Sequence, residues 1–373
     1  MRYYIIAGEA SGDLHASNLM KGLRQQDAEA EFRCWGGDLM QDAGGVLVKH
    51  YRDLAFMGFA EVLLNLRTIL RNLRFCRTDI QQYKPDVLIL VDYPGFNLRM
   101  AKWAAEQGIR VFYYISPQVW AWKRSRVHKI KKYVERMYVI LPFEKEFYAA
   151  YDYEVDFVGH PLLDAIKPAA DNDELLRKEL GISDDPLIAV LPGSRKQEIR
   201  KMLPLMLEMA KQFPDYQFVV AGAPSIPAEV YAETKANDRI RLLKGKTHDI
   251  LRIADAAMVT SGTATLETAL FRVPEVVCYK GGWLSYQIAK RLVKHIKYIS
   301  LVNLIMDREV VKELIQGDFN SRLLSDELTR LTANEEYRNK MYADLDTLRE
   351  KLGGPGASDT TARLMYNRLV NNE

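Results

Sequence analysis

The chain has 373 residues, of which 48% are hydrophobic and 27% are charged, and its formal net charge is +3. This length exceeds what one hydrophobic core usually fills, so it predicts two domains. The small net charge, with no helix-turn-helix, zinc-finger or RNA-binding signature, argues against nucleic acid as a partner. No stretch approaches the ~20 consecutive apolar residues of a transmembrane helix, so we expect no membrane span.

The first residues pass directly into a short apolar run, which is too short for the apolar core of a signal peptide. The three cysteines are widely spaced and match no zinc or redox pattern, which argues against a disulfide framework. We therefore expect a cytoplasmic protein whose cysteines are packing residues. The six histidines are scattered without paired spacing, so we expect no metal site.

Short β-rich runs alternate with longer helical patterns in both halves of the chain, which is the rhythm of a parallel α/β fold. The predicted strands are 3–7, 86–91, 110–115 and 137–141 in the first half, and 187–191, 217–221, 256–259 and 275–279 in the second. A segment with two prolines, 161–171, suggests a boundary near residue 165. The predicted lobes are 1–165 and 166–352, and a glycine-rich break then precedes a last helix in 353–373, with Ser358 as its N-cap.

The first motif, Gly-Glu-Ala-Ser-Gly-Asp at 8–13, stands where the first predicted strand passes into the first helix. In doubly wound sheets the carboxyl ends of the strands line the binding crevice, and glycines there let backbone N–H groups approach an anion or a sugar. The spacing differs from the G-x-G-x-x-G dinucleotide fingerprint, which disfavours a nicotinamide dehydrogenase. The alternative is a tight turn in which Ser11 or Asp13 caps the helix.

The second motif begins with Asp92, directly after an apolar run at 87–91, and continues through Pro94 and Gly95 to Asn97. A carboxylate at the end of a buried strand is suited to act as a general base or to orient a hydroxyl. The alternative is that Asp92 or Asn97 only satisfies backbone groups of the Pro-Gly turn.

Two motifs of the second half also follow predicted strands. The first contains Gly193, Ser194 and Arg195, and the second contains Ser261, Gly262, Thr263, Ala264 and Glu267. An arginine in the first turn of a helix is easier to understand if it meets an anion such as a diphosphate. Glu267 lies one helical turn beyond Thr263, where a carboxylate can accept hydrogen bonds from ribose hydroxyls. Together the motifs predict two walls of a nucleotide site, whereas each alone is compatible with a solvated helix.

A helical pattern at 56–77 carries a continuous apolar face and four arginines. This combination suits a helix at an anionic membrane surface or against acyl chains, and a buried crossover helix is an equal alternative. We assign membrane or acyl contact to Phe59, Val62, Leu63, Leu66, Arg67, Leu70 and Arg71. A basic run at 123–132, beside Trp120 and Trp122, is suited to lipid or acceptor phosphates, or is a solvated helix face.

The motifs at 8–13, 92–97, 192–195 and 261–267, together with Ser-Pro-Gln-Val-Trp-Ala-Trp at 116–122 and Leu-Val-Asn-Leu at 301–304, resemble the lipid A disaccharide synthase family. The resemblance covers nearly the whole chain. It implies a family 19 glycosyltransferase of the GT-B architecture, in which two Rossmann-like parallel-sheet lobes flank a cleft and a C-terminal helix crosses back to the first lobe. The chain has Gly95 after the proline, where relatives carry a second aspartate. This departure leaves fewer carboxylates as candidates for the general base.

The resemblance also implies a reaction: 2,3-diacylglucosamine passes from UDP to 2,3-diacylglucosamine 1-phosphate (lipid X) with inversion, which gives the β-1,6 lipid A disaccharide. Asp92 is the expected base and Glu9 the second candidate. Acceptor binding is assigned to Ser11, Gly12, Asp13 and Asn97, and Asn303 is expected, by resemblance only, to contact the nucleotide or donor sugar. No cofactor or metal is expected. The expected partners are UDP-diacylglucosamine, lipid X and the anionic inner face of the cytoplasmic membrane, and a homodimer is left open.

Three other functions remain alternatives. UDP-N-acetylglucosamine epimerases and peptidoglycan-type transferases share the two-lobed plan, but neither explains the arginine-rich apolar helix as well. The third is a membrane-associated nucleotide-sugar binding protein without turnover. Carboxylates at consecutive strand ends, Glu9 and Asp92, argue against it.

Overall fold

The computed structural model describes residues 1–53, 66–122, 124–166, 173–282 and 296–371. The chain forms two compact units, of which one comprises Met1–Asp164 and Leu352–Glu373 and the other Ala165–Lys351. The first division falls one residue from the boundary that the prolines suggested. Each unit is built on its own parallel sheet.

The first unit contains a seven-stranded sheet of order β3-β2-β1-β4-β5-β6-β7. Its strands are β1 (Arg2–Ala7), β2 (Glu31–Gly36), β3 (Val46–His50), β4 (Val87–Val91), β5 (Arg110–Tyr114), β6 (Arg136–Val139) and β7 (Asp156–Phe157). The helices before the division are α1 (Ala10–Gln26), α2 (Asp38–Asp42), α3 (Leu66–Tyr83), α4 (Pro94–Glu106), α5 (Arg126–Tyr133), α6 (Pro142–Ala149) and α7 (Leu162–Ala165), with a 3₁₀ turn at Tyr51–Asp53. All of its strand pairs are parallel.

The second unit contains a six-stranded parallel sheet of order β10-β9-β8-β11-β12-β13. Its strands are β8 (Leu187–Leu191), β9 (Gln217–Gly222), β10 (Ile240–Lys244), β11 (Ala256–Thr260), β12 (Glu275–Tyr279) and β13 (Lys312–Ile315). Its helices are α8 (Asp173–Leu180), α9 (Lys196–Glu208), α10 (Thr247–Arg252), α11 (Thr263–Leu270), α12 (Leu301–Met306), α13 (Ser321–Ala333) and α14 (Glu335–Lys351), with 3₁₀ segments at Met209–Lys211 and Ala228–Ala236.

The central strands are continuous apolar runs because helices cover both faces of the sheet. All five residues of β4 are buried. Alternate residues of the first sheet enter two separate cores, one containing Tyr4 and Leu88 and the other containing Tyr3 and Val87. All three cysteines are buried free thiols, as predicted. Among the described residues, no helix is long and apolar enough to cross a membrane.

The last helix, α15 (Ala357–Asn371), packs against α1 in the first unit. The two helices approach so closely that a Cβ on Gly22 would lie 2.9 Å from the Cβ of Ala362. The carboxylate of Asp164 accepts hydrogen bonds from the backbone N–H groups of Gly356 and Ser358 at 2.5 and 3.3 Å. Ser358 is itself buried inside the helix, so its prediction as the N-cap is wrong. Asp164, distant in sequence, supplies the cap.

Candidate active site

Both sheets reverse their strand order next to their first strand, between β1 and β4 in the first unit and between β8 and β11 in the second. Such a switch point leaves a crevice outside the carboxyl ends of the two strands, where ligands of doubly wound folds bind. Ala7 is paired with Val91, so Glu9 and Asp92 emerge from neighbouring strands. Leu191 is likewise paired with Val259, which places the motifs at 193–195 and 261–267 side by side.

Asp92 occupies a strained turn that the fold holds in place. Its φ is 43° and that of Tyr93 is 48°, so two successive residues with side chains adopt the left-handed conformation. This conformation costs roughly 1–2 kcal/mol per residue. The Asn97 amide donates hydrogen bonds to the carbonyls of Asp92 and Val91 at 2.8 and 3.2 Å, and the Tyr113 hydroxyl donates to the Asp92 carbonyl at 2.5 Å. These hydrogen bonds therefore fix the backbone of Asp92 at the carboxyl end of β4.

The environment of Asp92 favours its protonated form. Burial, and to a lesser degree the negative charge of Glu9, raises the pKa of this carboxyl from 3.8 to about 6, against a backbone hydrogen bond from Tyr93 that lowers it. A carboxylate with a pKa near 6 is a stronger base than an ordinary aspartate and is still ionised at neutral pH. Asp92 is therefore suited to accept a proton from a hydroxyl.

The Tyr93 ring closes one side of this turn. A Cβ on Gly8 would lie 2.3 Å from two carbons of that ring, so only glycine fits beneath it. The ring also stacks on Phe96 with centroids 5.8 Å apart. Gly8 thus permits the close approach of the first loop and the Asp92 turn.

The second unit has a cavity of about 310 Å³ at its switch point. Its lining includes residues 193–194 and 260–264 from the two strand ends, together with Glu198, Thr247 and Glu267. Gly193 has a φ of 108°, and a Cβ there would lie 2.9 Å from the Glu198 carboxylate. Glycine is thus required at this position. Gly262, Thr263 and Ala264 line the cavity, which places the N-terminus of α11 in its wall, where backbone N–H groups can meet an anion.

Two ion pairs order charged side chains around this cavity. Arg195 lies at the start of α9 and its guanidinium contacts the Glu198 carboxylate at 3.0 Å, while its side chain remains 68% exposed. His248 lies 3.5 Å from the Glu267 carboxylate, and this hydrogen bond raises the pKa of the imidazole. Glu267 is therefore held in the cavity wall by a residue of α10. Sequence reasoning missed Glu198, Thr247 and His248, which no motif marks.

Comparison with known proteins identifies the family. A family model described as Lipid-A-disaccharide synthetase matches residues 3–364. The chain belongs to the lipid-A-disaccharide synthase family. A curated family member, the lipid-A-disaccharide synthase of Syntrophus aciditrophicus (strain SB), is 41% identical over 371 residues, which cover 96% of this chain and 95% of that protein. The chain is accordingly a glycosyltransferase of lipid A biosynthesis.

Solved structures show that the family plan is the GT-B fold, as predicted. The UDP-GlcNAc 2-epimerase from Neisseria meningitidis bound to UDP-GlcNAc superposes with a TM-score of 0.66 at 13% identity, covering 100% of both chains. The glycotransferase of kitacinnamycin superposes with a TM-score of 0.68 at 14% identity, covering 99% of both chains. At these identities the likeness concerns the fold alone.

In this family member, two residues predicted to bind the acceptor, Gly12 and Asp13, are buried. Asp13 is 3% exposed, and its carboxylate accepts hydrogen bonds from the backbone N–H groups of Gly37, Leu39 and Met40 at 2.7, 3.2 and 3.1 Å. Gly12 is buried, and a Cβ there would lie 3.2 Å from that of Ala7. Of the three candidates in this motif, only Ser11 is exposed, in the first turn of α1.

Two asparagines assigned to ligands are also buried. Asn97 is fully buried and its amide holds the Asp92 turn, while the acceptor contact assigned to it stays a prediction. Asn303 is fully buried as well: its side chain accepts hydrogen bonds from the backbone N–H groups of Val310 and Val311 and donates to Glu313. The contact with nucleotide or donor sugar expected of Asn303 is therefore not supported.

The arginine-rich helix is described only from Leu66 onwards, and Phe59, Val62 and Leu63 lie outside the described residues, as does the side chain of Leu66. Within α3, Leu73, Cys76 and Ile80 are buried in the first unit's core. The opposite face exposes Arg67, Leu70, Arg71, Arg74 and Phe75, with Leu70 49% and Phe75 48% exposed. The helix α3 thus has one buried face and one exposed face that carries arginines and two large apolar side chains.

Of the two tryptophans of the 116–122 motif, one is buried and the other is exposed. Trp120 is 7% exposed and meets the Phe143 ring edge-on with centroids 5.0 Å apart, whereas Trp122 is 45% exposed. Trp120 is a core residue, and Trp122 presents an indole at the surface. Among the described residues of the chain, no three histidine, cysteine, aspartate or glutamate side chains are grouped to hold a metal ion.

Proposed function

We propose that the chain transfers a 2,3-diacylglucosaminyl group from its UDP donor to the 6-hydroxyl of 2,3-diacylglucosamine 1-phosphate, with inversion at the anomeric carbon. The observation that carries this proposal is the Asp92 carboxylate, held at the switch point of the first sheet with a pKa of about 6. Membership of the family supplies the disaccharide product.

The proposed chemistry is a single displacement. The acceptor 6-hydroxyl gives its proton to the Asp92 carboxylate while its oxygen forms a bond to the anomeric carbon. The bond from that carbon to the diphosphate breaks, and its electron pair leaves on UDP. One displacement from the opposite face inverts the centre, so a single base suffices. Glu9 is exposed beside Asp92 and is the second candidate for the base.

The cavity of the second unit is the proposed UDP site. The first N–H groups of α11 and the Gly193 turn would stabilise the charge that develops on the leaving diphosphate, and the exposed Arg195 supplies a cation beside them. Glu267 would accept hydrogen bonds from the ribose hydroxyls. A UDP-GlcNAc 2-epimerase of the same fold binds UDP-GlcNAc, which supports a nucleotide-sugar site of this kind. We propose that these groups act without a metal ion.

The exposed face of α3 is the proposed contact with lipid. Its arginines and two large apolar side chains, Leu70 and Phe75, combine attraction to anionic headgroups with insertion into the acyl boundary. Both substrates would carry acyl chains, so a surface that lies on a membrane shortens their path to the site. We therefore propose peripheral association with the inner face of the cytoplasmic membrane.

The test is an assay of the purified protein with UDP-2,3-diacylglucosamine and the 1-phosphate acceptor, in a neutral detergent with excess chelator. We expect the wild type to release equal amounts of UDP and disaccharide, and Asp92→Ala to lose turnover while retaining UDP binding. Release of UDP without disaccharide across several acyl lengths would reject the proposal and favour an epimerase-like reaction. Loss of wild-type turnover on chelation would reject metal independence alone.

A further inference from the structure

A second cavity, in the first unit, lies between α4 and α5 and has a volume of about 470 Å³. Six basic side chains line it: Arg99 and Lys102 from α4, and Arg126, His128, Lys129 and Lys132 from α5. We call this cavity the basic pocket. Leu98 and Tyr133 contribute apolar side chains to its lining, together with Pro94 and Gly95 at the start of α4.

The charge of the basic pocket is largely uncompensated. No acidic side chain of the described chain lines it. Within the described ranges, only Lys102 among the six has an ion-pair partner, Glu106 at 3.8 Å, and the pair is exposed. Arg126 lies over the Trp122 ring at 5.5 Å and Lys132 over the Tyr133 ring at 5.3 Å. Like charges gathered in one concave site repel each other, so the arrangement favours a bound anion.

The position of the basic pocket relates it to the proposed base. Gly95 is three residues from Asp92, so their Cα atoms lie within about 11 Å of each other along the chain. Tyr93 and Pro94, the first residue of α4, lie between them in sequence. In a hexopyranose 1-phosphate the ring oxygen alone separates C1, which carries the phosphate, from C5, which carries C6, so the phosphate and the 6-hydroxyl project from the same side of the ring. A sugar whose 6-hydroxyl meets Asp92 therefore places its phosphate within reach of the part of the basic pocket that Pro94 and Gly95 line.

We infer that the basic pocket binds the phosphate monoester of the sugar acceptor. A monoester carries close to two negative charges at neutral pH, which suits several cations better than the single charge of a phospholipid diester. Guanidinium and ammonium groups from two helices can hold its three terminal oxygens. Leu98 and Tyr133 offer the apolar wall against which a sugar face packs. This inference rests on the proposed function, because that function supplies a phosphorylated acceptor.

The experiment compares two acceptor sugars that differ only in the phosphate. The double variant Arg99→Ala/Lys129→Ala removes one exposed cation from each helix and leaves the core untouched. For each protein, the Michaelis constant for the phosphorylated acceptor is measured in a neutral detergent. The affinity for the dephosphorylated sugar is measured as its inhibition constant against that acceptor. Binding to phosphatidylglycerol vesicles is measured by sedimentation without substrate.

We expect the double variant to raise the Michaelis constant for the phosphorylated acceptor about tenfold or more, the usual cost of losing a charged hydrogen bond. The inhibition constant of the dephosphorylated sugar and the vesicle binding should change less than about twofold. Lys129→Arg should retain the wild-type Michaelis constant. Lys21→Ala/Arg363→Ala, which removes the same two charge types at exposed positions of α1 and α15, is the matched control.

Two results would overturn the inference. Equal losses of affinity for both sugars would show that the basic pocket does not recognise the phosphate. A loss confined to vesicle binding would assign these cations to membrane headgroups. Both results require a wild type that makes the disaccharide, so they are distinct from failure of the proposed function, in which the wild type makes none.

Discussion

Replacing Asp92 by asparagine should abolish turnover and, at the same time, stabilise the first unit at alkaline pH. The pKa of Asp92 is raised from 3.8 to about 6. A rise of about 2.2 at 1.36 kcal/mol per pH unit corresponds to about 3 kcal/mol. The pKa of the Asp92 carboxyl is higher in the folded protein than in the unfolded chain. The free energy of unfolding therefore contains this contribution below pH 4 and loses it as the pH rises through about 6.

The variant Asp92→Asn has no charge to desolvate, so at pH 8 it should be more stable than the wild type by up to about 3 kcal/mol. At roughly 2–4 °C per kcal/mol for a unit of this size, the melting temperature should rise by up to about 6–12 °C. At pH 4 the two proteins should melt together. The wild-type kcat/KM should rise with pH to a plateau above about 6.

The measurements are thermal unfolding at pH 4 and pH 8 and the pH profile of kcat/KM. Asp42→Asn makes the same change at an exposed position of α2 and should leave both unchanged. If Asp92→Asn melts at or below the wild-type temperature at pH 8, burial of a destabilised carboxylate is the wrong account of this site. A flat wild-type profile between pH 5 and pH 7 would instead remove Asp92 as the base.

Substitutions at three further positions test Glu9, Asp164 and Glu267. Glu9→Gln removes a charge that raises the pKa of Asp92, so the acid limb of the pH profile of kcat/KM should move to lower pH. An acid limb at the wild-type pH would contradict the electrostatic coupling of Glu9 and Asp92. Asp164→Ala should destabilise the first unit by about 1–2 kcal/mol in denaturant melts through loss of the α15 cap, and Asp164→Asn should restore most of it. Glu267→Gln should raise the dissociation constant of UDP about tenfold in calorimetry; unchanged binding would remove Glu267 from the nucleotide site.

The sequence predicts the central strands well because each is a buried apolar run. The eight predicted strands correspond to β1, β4, β5 and β6 in the first sheet and β8, β9, β11 and β12 in the second. The missed strands are β2, β3, β7, β10 and β13, which lie towards the sheet edges. Four of these five are at least partly exposed along their length, and β7 has only two residues, so their apolar patterns are weak.

In the candidate site, local motifs predict which residues follow a strand, but they do not predict contacts between residues that are distant in sequence. Motifs that follow a strand, such as Asp92 and Gly193, are placed correctly because strand ends of a parallel sheet share one edge. The partners of Asp13 lie 24 to 27 residues away in sequence, and His248 reaches Glu267 from another helix. No local pattern reports such contacts. Polar residues inside a motif therefore divide into ligand-facing and fold-stabilising groups only in three dimensions.

The first unit is assembled from two stretches that are separated by the whole of the second, and this has a consequence for synthesis. While the ribosome makes Ala165–Lys351, the face of α1 that will receive α15 has no partner. At 5–20 residues per second this interval lasts roughly 10–40 s. The part of α1 around Gly22, which Ala362 of α15 later covers, would be open to chaperones or to another nascent chain throughout it, and only the emergence of α15 completes the unit.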